Sequence, residues 1–327
     1  MPDQLETLHI QSGRLLASLQ NEDSSLLKEI EQVAHVKIIS RQEWLKIEGA
    51  KKSRSLAKAL IEQLDHASLL GARIQKHDIR YALESLKKGQ AEDLMRLWST
   101  QLAVSLRKPP ITPKTLLQLY YLDTIARHSL VFSIGPAGTG KTFLAMAMAL
   151  LALKKKEVER IILTRPAVEA GEALGFLPGD LQQKILPYLR PLYDALDETL
   201  DQEEAQRLLA KGVIEVAPLA YMRGRTLHRA FIILDEGQNT TPEQMLMLLT
   251  RMGPESKCVI TGDPSQVDLP GAKKSGLNEA LDVLRAIPEI AIVRFTEADV
   301  MRHELVAKIT AAYQAYRQHT PHPKSTH

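Results

Sequence analysis

The sequence predicts an α/β protein whose mostly parallel sheet carries a phosphate-binding loop, with a small α+β lobe ahead of it. Three observations predict this. The run Gly135-Pro136-Ala137-Gly138-Thr139-Gly140-Lys141-Thr142 fits the spacing G-x-x-x-x-G-K-[ST] without a gap, after one apolar stretch at 130–134 and before another at 143–153. Six apolar runs, at 130–134, 160–164, 213–216, 231–234, 258–261 and 290–295, are separated by helical stretches, which is the pattern of buried parallel strands. Residues 9–64 instead alternate short strand-like and helix-like segments.

A chain of 327 residues is long enough for a large core and for two domains. Its 25% charged and 44% apolar residues are ordinary globular composition, and a formal charge of +3 permits nucleic-acid contact without demanding it. Cys258 is the only cysteine, which excludes an intramolecular disulfide and a thiolate zinc site and suits a reducing cytosol. The apolar stretch 143–153 is too short to span a bilayer, and the N-terminus shows neither a basic leader nor a secretion core. The expectation is a cytoplasmic protein with no membrane partner.

In chain order, residues 26–33 read as an amphipathic helix and 36–39 as a strand. Residues 44–47 form a second strand ending at Gly49, and 53–64 a helix with Leu56, Ala57, Leu60, Ile61 and Leu64 at helical spacing. Helix, strand, strand, helix resembles a KH-type RNA-binding module, expected over residues 1–70. Such modules clamp the nucleic-acid backbone with a G-x-x-G loop. The matching region here is Asn21-Glu22-Asp23-Ser24, and residues 1–65 carry nine Lys or Arg against ten Asp or Glu. Nucleic-acid contact and a packing or assembly role both remain open for this lobe. Residues 71–112 read as a charged helical connector, closed where Pro109, Pro110 and Pro113 remove donors and bias their predecessors to extended angles. The phosphate-loop domain is expected over 113–317, and the polar, proline-bearing residues 318–327 as a disordered tail.

The glycines of the loop let successive N–H groups converge on phosphate oxygens, and the helix that follows presents its positive end. Lys141 would reach the β- and γ-phosphates, and the Thr142 hydroxyl would bind Mg²⁺. The run 231–234 ends in Asp235 and Glu236, at the sheet edge where ligands bind in open α/β folds. Asp235 is the metal-ligand candidate, and Glu236 the general base that polarises the attacking water. After 258–261 come Gly262, Asp263, Pro264, Ser265 and Gln266, and Gln266 is the candidate sensor of the γ-phosphate. Arg165, with Glu169, Gly171 and Glu172 after it, follows a strand in the same way. Arg223-Gly224-Arg225 offers two cations with close backbone approach, for a phosphate of nucleotide or RNA or for pairing with nearby acids. Arg302, at the start of the final helix, is a candidate arginine finger within the chain or across a subunit contact.

Taken together these pieces resemble the PhoH-like ATPases. The likeness runs from Thr115 to Tyr316 through GPAGTGKT, TRPAVEAGEALGFLPGD, PYLRPLYDAL, PLAYMRGRT, LDEGQNTTPEQM, LTRMG, TGDPSQVDLP, SGL and DVMRHELV. Gly237 stands where the family usually has alanine, and His228 where it usually has asparagine. The resemblance implies a P-loop NTPase with a RecA-like sheet, similar to a single lobe of superfamily 1 helicases. It also implies a cytoplasmic protein that binds ATP and Mg²⁺, hydrolyses ATP and does RNA-linked work. By the same analogy Gln118 is a candidate for reading adenine, and Phe143 closes the nucleotide-binding segment from Gly135. The implied partners are single-stranded RNA, a YbeY-type endoribonuclease or ribosome-associated factor, and further copies of the chain in a homo-oligomer, with a ring as one form.

One lobe alone should not translocate. One reading is therefore an ATP-driven RNA remodelling enzyme that assembles from several copies, and its alternative an ATP-gated adaptor that docks a ribonuclease or ribosome-assembly factor without unwinding RNA. A small-molecule kinase fits less well, because Glu236 and Gln266 suit transfer to water. A GTPase would need an N-K-x-D string, which the sequence lacks.

Overall fold

The structure, a computed structural model, describes residues 5–20, 25–41, 44–166, 181–270, 274–301, 306, 309 and 312. It divides into two compact units: Met1–Ala103 with Pro110–Tyr120, and Val104–Pro109 with Tyr121–His327.

The first unit runs β1 (Glu6–His9), α1 (Gly13–Gln20), α2 (Ser25–Ala34), β2 (Lys37–Arg41), β3 (Trp44–Glu48), α3 (Lys51–Leu69), α4 (Lys76–Lys87) and α5 (Ala91–Ser99). The expected helix, strand, strand, helix series is α2, β2, β3 and α3. β1 and α1 were not anticipated. β1 pairs antiparallel with β3, giving a three-stranded sheet ordered β1-β3-β2. Its four residues alternate half-buried with exposed, too short a pattern to stand out in sequence. Asp65 of α3 fixes the start of α1 by accepting from the backbone N–H groups of Gln11 (3.0 Å) and Ser12 (2.8 Å). The stretch read as a connector does not stand apart: Ile79, Ala82 and Leu83 of α4 and Leu94 and Leu97 of α5 share one core with Leu60, Ile61 and Leu64 of α3.

The second unit holds a six-stranded, all-parallel sheet with the order β6-β5-β7-β8-β4-β9. The strands are β4 (Leu130–Ile134), β5 (Arg160–Arg165), β6 (Ile214–Pro218), β7 (Ala230–Leu234), β8 (Lys257–Gly262) and β9 (Ile290–Arg294), one for each apolar run read in the sequence. α6 (Leu116–Arg127) leads into them, and α7 (Lys141–Lys154), α8 (Leu181–Thr199), α9 (Gln202–Ala210), α10 (Pro242–Leu249) and α11 (Gly276–Leu284) connect them. Leu130, Phe132, Ile162, Ile232, Leu234 and Ile260 join the core formed with Met245 and Leu248 of α10 and Leu277 and Leu281 of α11. The alternate side chains, among them Val131, Ile161, Leu163, Ile233 and Val259, are equally buried and turn to the other face, where α7 and α8 pack. Burial on both faces explains why these strands read as continuous apolar runs. It also explains α7, whose apolar residues lie all round it: a helix covered on every side shows no stripe.

A P-loop cleft at the carboxyl ends of the strands

β4 runs straight into the glycine loop, and three glycines there take positive φ: Gly135 at 138°, Gly138 at 83° and Gly140 at 79°. Gly135 is also a matter of space, since a Cβ on it would lie 2.4 Å from the Phe295 carbonyl oxygen. The loop is anchored on both sides. Gly135 N–H donates to Gly262 O at the end of β8 (3.1 Å), and Phe295 N–H after β9 donates to Ile134 O (2.7 Å). Tyr121 of α6 supports it from below: its ring meets Phe295 edge-on at 5.4 Å, and its hydroxyl donates to the Lys141 carbonyl (3.2 Å). Full burial pushes that hydroxyl well above its ordinary pKa, so it stays a neutral donor.

Lys141 opens α7 at 9% exposure. Its ammonium donates to the loop carbonyls of Gly135 and Pro136 (2.8 Å each) and to Thr139 Oγ1 (3.3 Å), and Thr139 donates to Pro136 O (3.0 Å). The charge is thus held at the centre of the loop. Beside it, Thr142 Oγ1 donates to Asp235 Oδ1 at 2.7 Å.

Strand order makes that contact. β8 lies between the loop strand β4 and the acid-bearing strand β7, so the loop and the acids are two strand spacings apart, roughly 10 Å. Thr261 near the end of β8 bridges the interval: its hydroxyl donates to Asp235 Oδ1 (2.7 Å) and lies 3.1 Å from Thr142 Oγ1. Nothing in the sequence singled Thr261 out; its signal was its place just before Gly262-Asp263. Asp235 itself is 9% exposed.

Glu236 is a non-glycine residue in the left-handed region (φ 54°, ψ 41°), which turns its side chain at the strand end. Its Oε1 is 3.2 Å from Arg165 NH2, and its Oε2 accepts from Gln238 Nε2. Gln238 in turn accepts from Asp263 N–H (3.0 Å), tying the acidic turn to the end of β8. Gln238 was quoted only within a longer motif; its role depends on the turn after β7. Gln266 lines the cleft, but its amide donates to Asp263 Oδ2 in the same turn.

A cleft of ≈ 390 Å³ lies over these groups, lined by Ala137, Gly138, Gly140, Lys141, Thr142 and Phe143 of the loop, Asp235 and Glu236, Gly262, Asp263 and Gln266, and by Pro191, Asp194, Ala195 and Glu198 of α8. It gathers most of the sequence-predicted residues. Gln118 belongs to the first unit, where its Oε1 accepts from Lys114 N–H at 2.6 Å. Arg225 makes a two-bond fork with Glu215 of β6 (2.6 and 2.7 Å), the pairing alternative, and this guanidinium holds the Glu215 carboxyl below the usual range. Arg223 is exposed next to Tyr221, which is 52% exposed. Arg302, Glu169, Gly171, Glu172 and the turn Asn21–Ser24 lie outside the described residues.

The donor set fits a magnesium triphosphate. The Thr142 hydroxyl and Asp235 carboxylate are hard oxygen ligands side by side. Among the described residues no group of three or more His, Cys, Asp or Glu could hold a metal by itself. Mg²⁺ is usually held by one or two carboxylates together with substrate phosphates and water. Also among the described residues, no helix is long and apolar enough to cross a membrane.

The family described as "PhoH-like protein" matches residues 110–314. A PhoH-like protein of Bacillus subtilis (strain 168) is 48% identical over 296 residues, spanning 90% of this chain and 93% of that protein. A PhoH-like protein of Mycobacterium tuberculosis (strain ATCC 25618 / H37Rv) is 53% identical over 264 residues, 81% of this chain and 75% of the relative. Among solved structures, the large terminase of the thermophilic bacteriophage D6E in complex with ADP aligns at 13% identity over 63% of this chain and 50% of that one, with a TM-score of 0.37.

Proposed function

Because the chain belongs to the PhoH-like protein family, we propose that it binds ATP with Mg²⁺, hydrolyses it to ADP and phosphate, and couples that turnover to RNA remodelling or RNA metabolism. One observation carries the hydrolytic reading: at the end of one strand, two adjacent carboxylates have different surroundings. Asp235 is buried against the loop threonine, while Glu236, with a side chain 37% exposed, reaches into the cleft. This difference supports reading the first as the metal holder and the second as the group that takes a proton from water.

The loop amides and Lys141 would bind and orient the triphosphate, and Thr142 with Asp235 would hold the metal, which would supply positive charge against the phosphates. Glu236 accepts the proton as water attacks the γ-phosphorus. Gln266, beside it in the cleft, is the candidate reporter of whether that phosphate is present. Gln118 as adenine reader remains part of the proposal, as does Arg302 as a finger. For RNA, the support is that Tyr221 and Arg223, two residues apart in the segment that follows β6, are both exposed, a stacking surface and a cation.

Glu236→Gln tests the reading. It keeps the shape of the side chain and removes its basicity, so ATP should still bind while turnover falls by about a hundredfold or more. Titration with ATP and a phosphate-release assay separate the two effects, and a variant that turns over at the parental rate sinks Glu236 as base. Adding single-stranded RNA separates the coupled readings: a remodelling enzyme speeds up on its track, whereas an adaptor that docks an endoribonuclease or ribosome-assembly factor hydrolyses at the same rate with or without RNA.

A further inference from the structure

We propose that Arg165 restrains the general base: its guanidinium holds Glu236 in an ion pair that must open before the carboxylate can take the proton of the attacking water. The proposal rests on the assignment of Glu236 as that base. Arg165 is the last residue of β5, the strand beside β7, so its side chain starts one strand spacing from the two acids. Three contacts converge on it: NH2 lies 3.2 Å from Glu236 Oε1, Nε lies 4.0 Å from Asp235 Oδ2, and NH1 donates to the Tyr188 carbonyl of α8 at 3.4 Å.

A working base needs an oxygen within hydrogen-bond reach of water. Here a cation sits on Oε1 of Glu236 and the Gln238 amide on Oε2. The base is fixed from behind as well. Its left-handed backbone is held by the short turn in which Asn239 N–H donates to its carbonyl (2.9 Å), which fixes the point from which the carboxylate reaches the guanidinium. Arg165 is also linked to the cleft through α8, since Pro191, Asp194, Ala195 and Glu198 of that helix line it. A ligand that shifts α8 on entering disturbs the contact that steadies the guanidinium, and this couples substrate arrival to release of the base.

Arg165→Met keeps the length of the side chain and removes the charge. The expected result is a kcat for ATP, measured without RNA, that rises about fivefold, the scale of a partly exposed ion pair, with KM changed less than kcat. Arg165→Lys restores a cation without the planar fork and should fall between the two. A structural role predicts the opposite, a lower kcat, and an unchanged or lowered kcat overturns the proposal. A double-mutant cycle between Arg165→Met and Glu236→Gln, read by denaturant unfolding, supplies a measure independent of turnover. The cycle should show coupling of about a fivefold shift in the folding equilibrium without nucleotide and none with a non-hydrolysable ATP analogue and Mg²⁺. Coupling that is absent at the start or survives the analogue also overturns it. Glu236→Gln by itself separates the two claims: if it alone leaves turnover intact the base assignment fails, and if it abolishes turnover while Arg165→Met does not raise it only the restraint fails.

Discussion

Two glycines of the site bear different loads, and the difference can be measured. Gly135 sits at φ 138°, and a Cβ there would meet the Phe295 backbone at 2.4 Å, with neither the strand end nor the carbonyl able to give way. Gly135→Ala should therefore cost roughly 3 kcal/mol or more and abolish nucleotide binding with it. Gly237 has ordinary φ, and an added Cβ would lie 2.9 Å from Cγ2 of buried Ile260 and 3.2 Å from the Thr261 carbonyl oxygen. Gly237→Ala needs small shifts of both neighbours, so it should cost about 1–2 kcal/mol, less than Gly135→Ala, and spare turnover. Thermal unfolding of the two variants checks both, and equal losses would show that the loop is not anchored on Phe295 as described. At this scale the sequence disclosed what is contiguous. The loop, Thr142, Asp235 and Glu236 were legible because each belongs to one short string. Thr261 and the contact of Arg165 with Glu236 were not, because both depend on which strands lie side by side. Gln266 and Gln238 show the same limit: turn geometry directs one amide to Asp263 and brings the other to Glu236.

At the scale of elements, apolar runs are the reliable signal and short amphipathic pieces the unreliable one. All six strands of the parallel sheet were visible as apolar runs, the four inner ones being buried on both faces, whereas β1 and α1 have patterns too brief to recognise. The charged stretch over 71–112 read as a connector because its helical pattern is studded with charges. Yet α4 and α5 each turn one apolar face inward. Beyond the core that α2 and α4 share, an ion pair ties them. Glu29, with a side chain 5% exposed, accepts from Arg80 Nε at 2.5 Å and from NH2 at 3.2 Å. The Arg80 hydrogen bond, working against burial, holds the Glu29 carboxyl below its ordinary value. An unfolded glutamate titrates near about 4.3, so the pair's contribution is complete above that pH and is lost as the pH falls through the lower folded value. Arg80 is well exposed, which keeps the effect near about 1 kcal/mol. Glu29→Gln should therefore lower stability at neutral pH and flatten its decline in acid. Urea unfolding between neutral and acidic pH reads both, and parallel pH curves for the parent and the variant would remove the ion pair from the account.

Among the described residues one parallel sheet carries one phosphate loop and one acidic pair, and an assembly that does mechanical work on RNA would draw its second moving part from a further copy of the chain. A second copy can supply it only if it offers a cation to the neighbour's cleft. Arg225 is committed to Glu215 by a two-bond fork, whereas Arg223, two residues away, is exposed. If the protein remodels RNA as an assembly, then a non-hydrolysable ATP analogue with Mg²⁺ should raise its particle mass to a whole multiple of the monomer. Arg223→Ala should leave that mass unchanged while lowering turnover by about a thousandfold, the low end of what a finger in trans contributes. Mixtures of Arg223→Ala and Glu236→Gln chains, each inactive alone, decide whether the arginine acts across a subunit contact. A shared site regains activity, up to about a quarter of the parental value in an equal mixture, because some interfaces pair an intact Arg223 with a neighbour's intact Glu236, while independent sites stay inactive. Light scattering with and without the analogue, followed by the mixing series, is the complete test. A mass that stays monomeric, together with hydrolysis indifferent to RNA, would transfer the case to the adaptor, for which a single lobe closing on ATP is machinery enough.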